Sequence, residues 1–400
     1  MRKSMSLMLS LALTVGLATM GLASTPGVLT IWADDTRAPV FEALGEEYTA
    51  ATGIPVEVYE IPFDDIRGEL ATAGPVGEGP DIIIGAHDWV GELAADGHLK
   101  QLELPEEVAD EFDPATLEAF SQVGPLYGIP YAREGIALVY NKGLLDEAPE
   151  TWDELVEFAR EFTDPGVPQY GFVVQNPDPY HSFPFISALG GYIFGYDEEG
   201  VMDPCDVGLD NEGAIAGVEY MVELFEEGLL PAGIGYDEWL GLFEQGRIAT
   251  VITGPWAVPS MEAAGQEVGV APIPLIEGER PRPFMGVQGV MVSAYTENPA
   301  LVEDFLFEYF VTKDAMLAMY EQDPRPPAYS PAADAIVDDP ILEGFIEATE
   351  GATPMPGIPE MAAVWGAWTD AMELIGLGEL TAEEGLTQAA DDIRDTLDCE

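Results

Sequence analysis

Apolar strand-like runs alternate with helix-like patterns between Val28 and Gly97, and this alternation constrains the fold more than any other feature. The runs VLTIWA, IPVEVYEI and PDIIIG are rich in branched side chains, and residues with helical spacing follow each of them. After the first run, Pro39 suits a first helical turn and Gly53 suits a C-terminal cap. Such alternation predicts an α/β fold, with a mostly parallel sheet and helices on both faces.

The loops after the first and third strands are the first candidates for a binding site. Their polar and aromatic members are Asp35, Thr36 and Arg37 in one loop and His87, Asp88 and Trp89 in the other. Ligands collect at the carboxyl ends of parallel strands, so both loops are expected on one rim. Two interpretations of Asp88 stay open, a helix cap and a direct ligand contact. His87 is interpreted as structural, because a His–Asp catalytic pair normally meets through the fold rather than as sequence neighbours.

The N-terminal segment differs in kind from the rest of the chain. Arg2 and Lys3 precede an apolar run from Leu7 to Met20, and small residues lead up to Ala23. This layout is typical of a secretory signal peptide, predicted over residues 1–23 with cleavage after Ala23. No cysteine stands at that point to carry a lipoprotein anchor, and no later apolar run reaches the roughly 18 residues of a membrane span. We expect an exported, periplasmic protein.

The charge is extreme, with 74 Asp and Glu residues against 14 Lys and Arg and a formal net charge of −60. A field of this sign repels phosphate backbones and anionic lipid headgroups, which argues against nucleic acid and direct membrane insertion. An anionic ligand is disfavoured for the same reason. Most of the carboxylates are interpreted as solvated surface, because charged side chains are seldom buried unless they are paired.

Metal, cofactor and nucleophile chemistry find little support. The chain has two cysteines, Cys205 and Cys399, and three scattered histidines, with no zinc-ligand spacing. No phosphate-binding loop, nucleophile elbow or His-Glu-x-x-His motif occurs. The sequence therefore predicts no metal and no cofactor. A disulfide between the two cysteines and a pair of free thiols both stay open.

Two extended segments mark the places where the chain is expected to pass between two sheets. LYGIPYAREGIALVYNK joins two strand-like runs without a helix, and PRPFMGVQGVMVSA is again extended and punctuated by glycines. Both are interpreted as crossovers between lobes. The region between them is rich in helical patterns, and so is the C-terminal region beyond them, which is interrupted by the loop TPMPGIPEMAAVW.

Aromatic residues on loops near acids suggest a carbohydrate ligand. Trp256 follows a strand and a Gly-Pro break, Trp365 follows the Pro/Met-rich loop, and Tyr180 lies in the proline-bounded NPDPYHSFPF. The C–H faces of a pyranose stack on aromatic rings, and carboxylates accept its hydroxyl protons. A glycoside hydrolase combines the same groups, with Glu134 and Asp178 as the candidate pair, and it is the enzymatic alternative.

These motifs together resemble the maltose/maltodextrin-binding proteins of ABC importers. The resemblance runs in order over nearly the whole mature chain and is carried by GPDIIIGAHDWVGELAADG, LYGIPYAREGIALVYNK, ITGPWAV, RPFMGVQGVMVSA and TPMPGIPEMAAVW. It implies a periplasmic-binding-protein-like α/β fold of two lobes, with a hinge of crossing strands and a central ligand cleft. The lobes are expected over residues 24–132 with 285–334 and over residues 133–284 with 335–400.

The resemblance also implies a function. A protein of this family is a monomeric, non-enzymatic binder that captures maltose or maltotriose-type α-glucans and delivers them to the permease subunits of an ABC transporter. Trehalose, sucrose and cyclodextrin stay open as alternative ligands. The matching positions that imply ligand contacts are Asp88, Glu134, Asp178, Tyr180, Trp256, Met355 and Trp365.

The chain departs from the family pattern in one half of the cleft. Gly85 stands where enterobacterial members carry a tryptophan, and Trp89 stands where they carry an arginine. The first loop lacks their Asp-Lys pair, and Arg37 is the candidate replacement for the lysine, beside Asp35 and Thr36. These differences bear on chain length and anomer preference rather than on the sugar class.

Overall fold

The structure, a computed structural model, describes residues 24–121, 124–164, 166–197, 201–336 and 338–399. The predicted signal peptide, residues 1–23, lies outside the described residues. Within these ranges, no helix combines the length and the apolar character needed to cross a membrane.

The elements follow one another along the chain with few long loops. The strands in the described ranges are β1 (Leu29–Ala33), β2 (Val56–Glu60), β3 (Ile82–Ala86), β4 (Gly128–Glu134), β5 (Ala137–Asn141), β6 (Tyr170–Val174), β7 (Phe194–Tyr196), β8 (Met202–Val207), β9 (Ile248–Thr253), β10 (Val268–Ala271), β11 (Phe284–Val292) and β12 (Thr353–Pro354). The α-helices there are α1 (Ala38–Thr52), α2 (Phe63–Ala73), α3 (Trp89–Ala95), α4 (Glu106–Ala109), α5 (Pro114–Ala119), α6 (Trp152–Phe162), α7 (Pro179–Ala188), α8 (Glu212–Glu226), α9 (Tyr236–Glu244), α10 (Val258–Ala263), α11 (Pro299–Phe305), α12 (Lys313–Gln322), α13 (Ser330–Ala333), α14 (Pro340–Ala348), α15 (Ala362–Gly376) and α16 (Ala382–Thr396). Single turns of 3-10 helix cover Gly74–Val76, Pro255–Ala257 and Pro359–Met361, and a π-helical segment covers Leu306–Phe310.

The first sheet is built around β1, which pairs in parallel with β2 and β3. Beyond β3 comes β11, which also pairs with β4 and, at its start, with β12. The predicted parallel arrangement is correct for β1 to β3. It is wrong for β11, which runs antiparallel to β3 and β4 because it enters the sheet at the rim where β3 ends.

Alternate side chains of the first sheet face helices on opposite sides. Ile31 lies in a buried cluster with Phe41 of α1 and Phe305 of α11. Its neighbour Trp32 lies in another cluster with Ile66 of α2. Because successive side chains of a strand point to opposite faces, both faces are covered. The α/β class predicted from the sequence is confirmed.

The second sheet has the strand order β10–β5–β9–β6. Here β5 is antiparallel to both β9 and β10, and only β6 runs parallel to β9. Leu138 and Val139, adjacent on β5, lie in different buried clusters. One includes residues of α6 to α8 and of α15 and α16, and the other includes residues of α9, α10 and α14.

Three segments carry the chain between the two sheets. The first lies between β4 and β5, and the second lies between β10 and β11. The third follows α12, where Pro327 bridges to Ala132 of β4 before the chain continues to α14 beside β10. The two sheets therefore meet at a set of adjacent crossing segments.

The two cysteines are joined. Cys205 of β8 and Cys399, beyond the end of α16, form a disulfide with a Cα–Cα distance of 5.6 Å. Nearby, the Arg394 guanidinium donates to Asp210 and to the Val207 carbonyl, both at 2.8 Å. The C-terminal helix is thus tied to the β7–β8 hairpin by a covalent and an ionic contact.

Candidate functional site

A cavity of about 590 Å³, called the cleft below, lies between the rim of the first sheet and the second sheet. Every site residue predicted from the sequence lines it: Asp35, Thr36, Arg37, Asp88, Trp89, Glu134, Asp178, Tyr180, Trp256, Met355 and Trp365. Sequence reasoning missed other side chains of the same lining, among them Asp34, Phe63, Asp64, Arg67, Gln175, His181, Tyr236, Gln288 and Arg325.

The loop after β1 is held by a buried ion pair. Asp34 accepts from the Thr36 backbone N–H at 2.9 Å and forms an ion pair with Arg37. Burial raises the pKa of Asp34, but Arg37 and the Thr36 hydrogen bonds outweigh it and leave that pKa below its usual value. Arg37 also donates to the Tyr131 hydroxyl at 2.6 Å and lies 5.0 Å from the Phe63 ring centroid.

His87, after β3, bridges strands that are distant in sequence. Its Nδ1 accepts the Val287 backbone N–H at 3.0 Å, which places the ring proton on Nε2. Nε2 then donates to the Met355 carbonyl at 3.0 Å. Both nitrogens have partners, which agrees with the structural interpretation of His87.

Asp88 directly precedes α3, but its side chain makes no capping hydrogen bond. The residue is 7% exposed, and its Oδ1 is buried without a hydrogen-bond partner. Burial raises the pKa of this carboxyl, against the opposing effect of His87 and Arg67. The cap interpretation is therefore wrong for the side chain, and a free acceptor is left at the cleft.

Trp89 occupies the space that a side chain at Gly85 would need. A Cβ built on Gly85 would lie 2.0 Å from Trp89 Cζ3, and the indole also packs against Phe63 with ring centroids 4.8 Å apart. The second sheet repeats the arrangement, because a Cβ on Gly254 would lie 1.9 Å from Trp256 Cζ3. In each half, a glycine at a strand end allows a tryptophan of the cleft to approach the backbone closely.

A buried network of charges forms the floor of the cleft at the crossing segments. Glu134 of β4 pairs with Arg325, and Arg325 pairs with Asp323. Gln288 of β11 donates to Glu134 at 2.8 Å. Burial raises the pKa of Glu134, but Arg325 and the Gln288 hydrogen bond outweigh it and hold that pKa below its usual value. The Arg325 guanidinium also lies 5.1 Å from the Trp256 ring centroid, so the network reaches the second sheet.

The start of α7 forms the opposite wall. Asp178 caps this helix by accepting the His181 backbone N–H at 2.9 Å. Burial raises the pKa of Asp178, but His181 and Gln175 outweigh it and leave that pKa lowered. The Tyr180 ring lies over Phe284 with centroids 6.0 Å apart, and Trp365 meets the same Phe284 ring edge-on at 6.3 Å.

Several buried polar atoms of the cleft lack a hydrogen-bond partner. In the described part of the chain they include Arg37 Nη2, Asp88 Oδ1, Gln175 Oε1, Tyr180 Oη, both ring nitrogens of His181 and Gln288 Oε1. Each unpaired buried group costs about 1–3 kcal/mol. The set mixes donors and acceptors, and a hydroxyl group can satisfy either. A neutral polyhydroxy ligand therefore fits these atoms of the cleft better than an ion does.

The cationic side chains of the cleft are already neutralised. Arg37 and Arg325 have the carboxylate partners described above, and Arg67 lies 3.4 Å from Glu92. An anionic ligand would find no excess positive charge among these side chains. Nor do the described residues gather three or more His, Cys, Asp or Glu side chains in a group suited to a metal ion.

Comparison with known proteins gives consistent matches over most of the chain. A family model described as bacterial extracellular solute-binding protein matches residues 33–316. The chain is 31% identical to a protein named maltotriose-binding protein from Pyrococcus abyssi (strain GE5 / Orsay), over 87% of this chain and 77% of the relative. It is 30% identical to the maltodextrin-binding protein MdxE of Bacillus subtilis (strain 168), over 91% of this chain and 90% of the relative. It is 29% identical to a galactooligosaccharide-binding protein of the same organism, over 91% and 88%. Each name describes a binding protein.

Proposed function

The chain belongs to the bacterial extracellular solute-binding protein family, and from that premise we propose that its cleft captures maltose and maltotriose-type α-glucans. The observation that carries the proposal is the set of unpaired buried donors and acceptors beside the aromatic rings of Trp256 and Trp365. Pyranose faces stack on such rings while their hydroxyls pair with such atoms. The names of the maltotriose- and maltodextrin-binding relatives support the α-glucan class.

Ligand capture is proposed to close the cleft. The moving lobes are residues 24–132 with 285–334 and residues 133–284 with 335–400, hinged at the crossing segments. Asp88 and Trp89 belong to the first lobe, whereas Tyr180, Trp256 and Trp365 belong to the second. A sugar that contacts both walls at once binds the closed form better than the open form, and this difference shifts the equilibrium towards closure.

The proposed role is binding without catalysis. A glycoside hydrolase needs one carboxyl with a raised pKa to protonate the leaving oxygen. Glu134 and Asp178, the candidate pair, both have lowered pKa values, because nearby partners outweigh the effect of burial. Burial raises the pKa values of two other cleft carboxyls, Asp64 and Asp88, which lie outside that pair. We expect no sugar release when the protein is incubated with maltodextrin. Release that Glu134→Gln abolishes would instead favour the hydrolase.

Export and delivery complete the proposal. The chain carries the predicted signal peptide over residues 1–23, acts as a monomer in the periplasm and presents the closed complex to the permease subunits of an ABC transporter. The family description as extracellular supports the export step.

Calorimetric titration of the mature chain tests the ligand class. Maltose, maltotriose, trehalose, sucrose, a cyclodextrin and a galactooligosaccharide form the panel, the last because one relative carries that name. We expect saturable heat with maltose or maltotriose and weaker or no heat with the others. Absence of binding to every α-glucan would refute the proposal, and tighter binding of another sugar would replace the ligand.

A tryptophan pair tests the location of the site. Trp365→Ala removes one stacking ring from the cleft and is expected to weaken α-glucan binding by about 1–3 kcal/mol. Trp239→Phe changes a fully buried tryptophan of α9 outside the cleft and is expected to leave the affinity unchanged. An unchanged affinity in Trp365→Ala would remove this ring from the site.

A further inference from the structure

The carboxylate of Asp178 is already engaged by its own neighbours. Its Oδ1 accepts the His181 backbone N–H at 2.9 Å and lies 3.1 Å from His181 Nδ1. Its Oδ2 accepts from Gln175 Nε2 at 2.7 Å. Both oxygens therefore have protein partners within the wall of the cleft, and these partners hold the carboxylate between Gln175 and His181.

The two neighbours of Asp178 each present an unpaired atom. His181 is 5% exposed, and both of its ring nitrogens are buried without a hydrogen-bond partner. Among the described residues, Nδ1 lies beside Asp178, and Nε2 has no charged neighbour of its own in the ion pairs of the cleft. Gln175 Oε1 is likewise buried and unpaired. Both residues line the cleft. Burying a polar atom without a partner is costly, so Nε2 and Oε1 point to a ligand that completes their hydrogen bonds.

The carboxylate fixes the hydrogen-bonding role of Gln175 and lies beside the ring of His181. His181 Nδ1 lies 3.1 Å from Asp178 Oδ1 without hydrogen-bond geometry, and the unpaired Nε2 donates or accepts according to which ring nitrogens carry a proton. Gln175 donates its amide to Asp178, which leaves Oε1 as an acceptor. A hydroxyl group can donate to Gln175 Oε1 and can pair with His181 Nε2 in either role, so it is the ligand group that complements both atoms.

The His181 ring lies at the edge of the aromatic surface. It meets Tyr180 edge-on, with centroids 5.6 Å apart, and Trp256 at 6.1 Å with an interplanar angle of 87°. A pyranose stacked on such a surface exposes its hydroxyls around its rim. From this geometry we propose that His181 and Gln175 contact hydroxyls of the bound sugar directly, and that Asp178 is a positioning residue that orients both. The inference rests on the proposed function and assigns new contacts within the same cleft.

Two substitutions remove these atoms with little change of shape. His181→Phe keeps a flat ring against Tyr180 and Trp256 but loses Nε2, and Gln175→Met keeps the chain length but loses the amide. Each is expected to weaken maltotriose binding about 10-fold in calorimetry, the size of one lost hydrogen bond. His98→Phe is the matched control, because His98 is also buried, 2.7 Å from the Tyr295 hydroxyl, and lies outside the cleft. It should bind as the unmodified protein does.

A set of monodeoxy maltoses separates direct contact from packing. One deoxy sugar is expected to bind the unmodified protein about 10-fold more weakly than maltose, and His181→Phe should show no such penalty for that sugar. A packing role would leave the penalty equal in both proteins. Asp178→Asn keeps an oxygen that can cap α7 but removes the negative charge beside His181 Nδ1. In this variant too, the deoxy sugar should bind as tightly as maltose does, without a large change in melting temperature.

Two results would overturn the inference. One is His181→Phe binding maltotriose as tightly as the unmodified protein, and the other is an equal deoxy penalty in both proteins. Either leaves the proposed function standing, because the unmodified protein still binds. Failure of the unmodified protein to bind any α-glucan refutes the proposed function itself, and the two failures are thereby distinguished.

Discussion

Gly85→Ala is the sharpest probe of the rim after β3. Gly85 lies on β3 and pairs there with Gly289 of β11, which restrains its backbone. The added Cβ would lie 2.0, 2.3 and 2.9 Å from three carbons of the Trp89 ring. Favourable carbon contacts begin at about 3.5 Å, so the indole must shift by more than about 1 Å.

The loss of stability in Gly85→Ala depends on how tightly the Trp89 ring is packed. Trp89 is 6% exposed and packs against Phe63, so a shift breaks existing contacts rather than entering empty space. Forcing a methyl group into such packing costs about 1–3 kcal/mol of unfolding free energy. The displaced ring also alters the cleft wall, and maltotriose affinity should fall by about 3- to 10-fold, the value of one aromatic contact.

Urea unfolding and calorimetry measure the two effects. Gly68→Ala is the control, because Gly68 is exposed in α2 and a Cβ there meets no atom within 4 Å. It should be neutral or stabilise the protein by up to about 1 kcal/mol. Gly85→Ala should lower the unfolding free energy much less in a Trp89→Leu protein than in the unmodified protein. Equal costs in the two backgrounds would refute the steric explanation.

Three further predictions concern the floor of the cleft and the C-terminal tie. Arg325→Met leaves Glu134 buried without its cation and should lower the unfolding free energy by about 3–5 kcal/mol in urea titrations; a loss below about 1 kcal/mol would contradict it. The pKa of Glu134 is lowered in the folded protein, because Arg325 and the Gln288 hydrogen bond outweigh burial. Ionised Glu134 therefore stabilises the folded state above about pH 4.3, and this stabilisation is lost as pH falls through the folded-state pKa. Between pH 5 and pH 3, the melting temperature of Glu134→Gln should therefore fall less than that of the unmodified protein. An equal fall in both proteins would contradict the reasoning. Replacing Cys205 and Cys399 by serine removes a disulfide between residues 194 positions apart and should lower the unfolding free energy by about 2–4 kcal/mol in urea titrations. Two free thiols in the unfolded, unreduced protein would contradict this prediction.

Local pattern accounts for much of the fold. The alternation of β-branched runs and helical spacing predicts β1 to β3 with their helices, because the period of buried side chains depends on residues close in sequence. The same reasoning fails for sheet direction at β11. The partner of a strand depends on how the chain returns from the other sheet, and no local period records that path.

The candidate site divides in the same way. Asp88 and Trp89 could be placed on the rim from the sequence, since they follow a strand. His181 and Arg325 could not be recognised as cleft residues by such reasoning. Arg325 lies in an irregular proline-rich segment, and its partner Glu134 is 191 positions away. His181 lies in the first turn of α7, after the capping residue Asp178, and a sequence pattern at this position indicates only helical packing.

What the sequence by itself determined is the fold class and the family resemblance, and it predicted the export signal and the unsuitability of anionic partners. These depend on composition, on short periods and on ordered motifs. Only the tertiary structure decided that Asp88 is not a side-chain cap, that His87 bridges strands through Val287, and that Cys205 meets Cys399. It also placed Trp89 on Gly85, so that the glycine and the tryptophan form one unit of the cleft. Each of these depends on the distance between particular atoms after folding, and most of them join residues far apart in the chain.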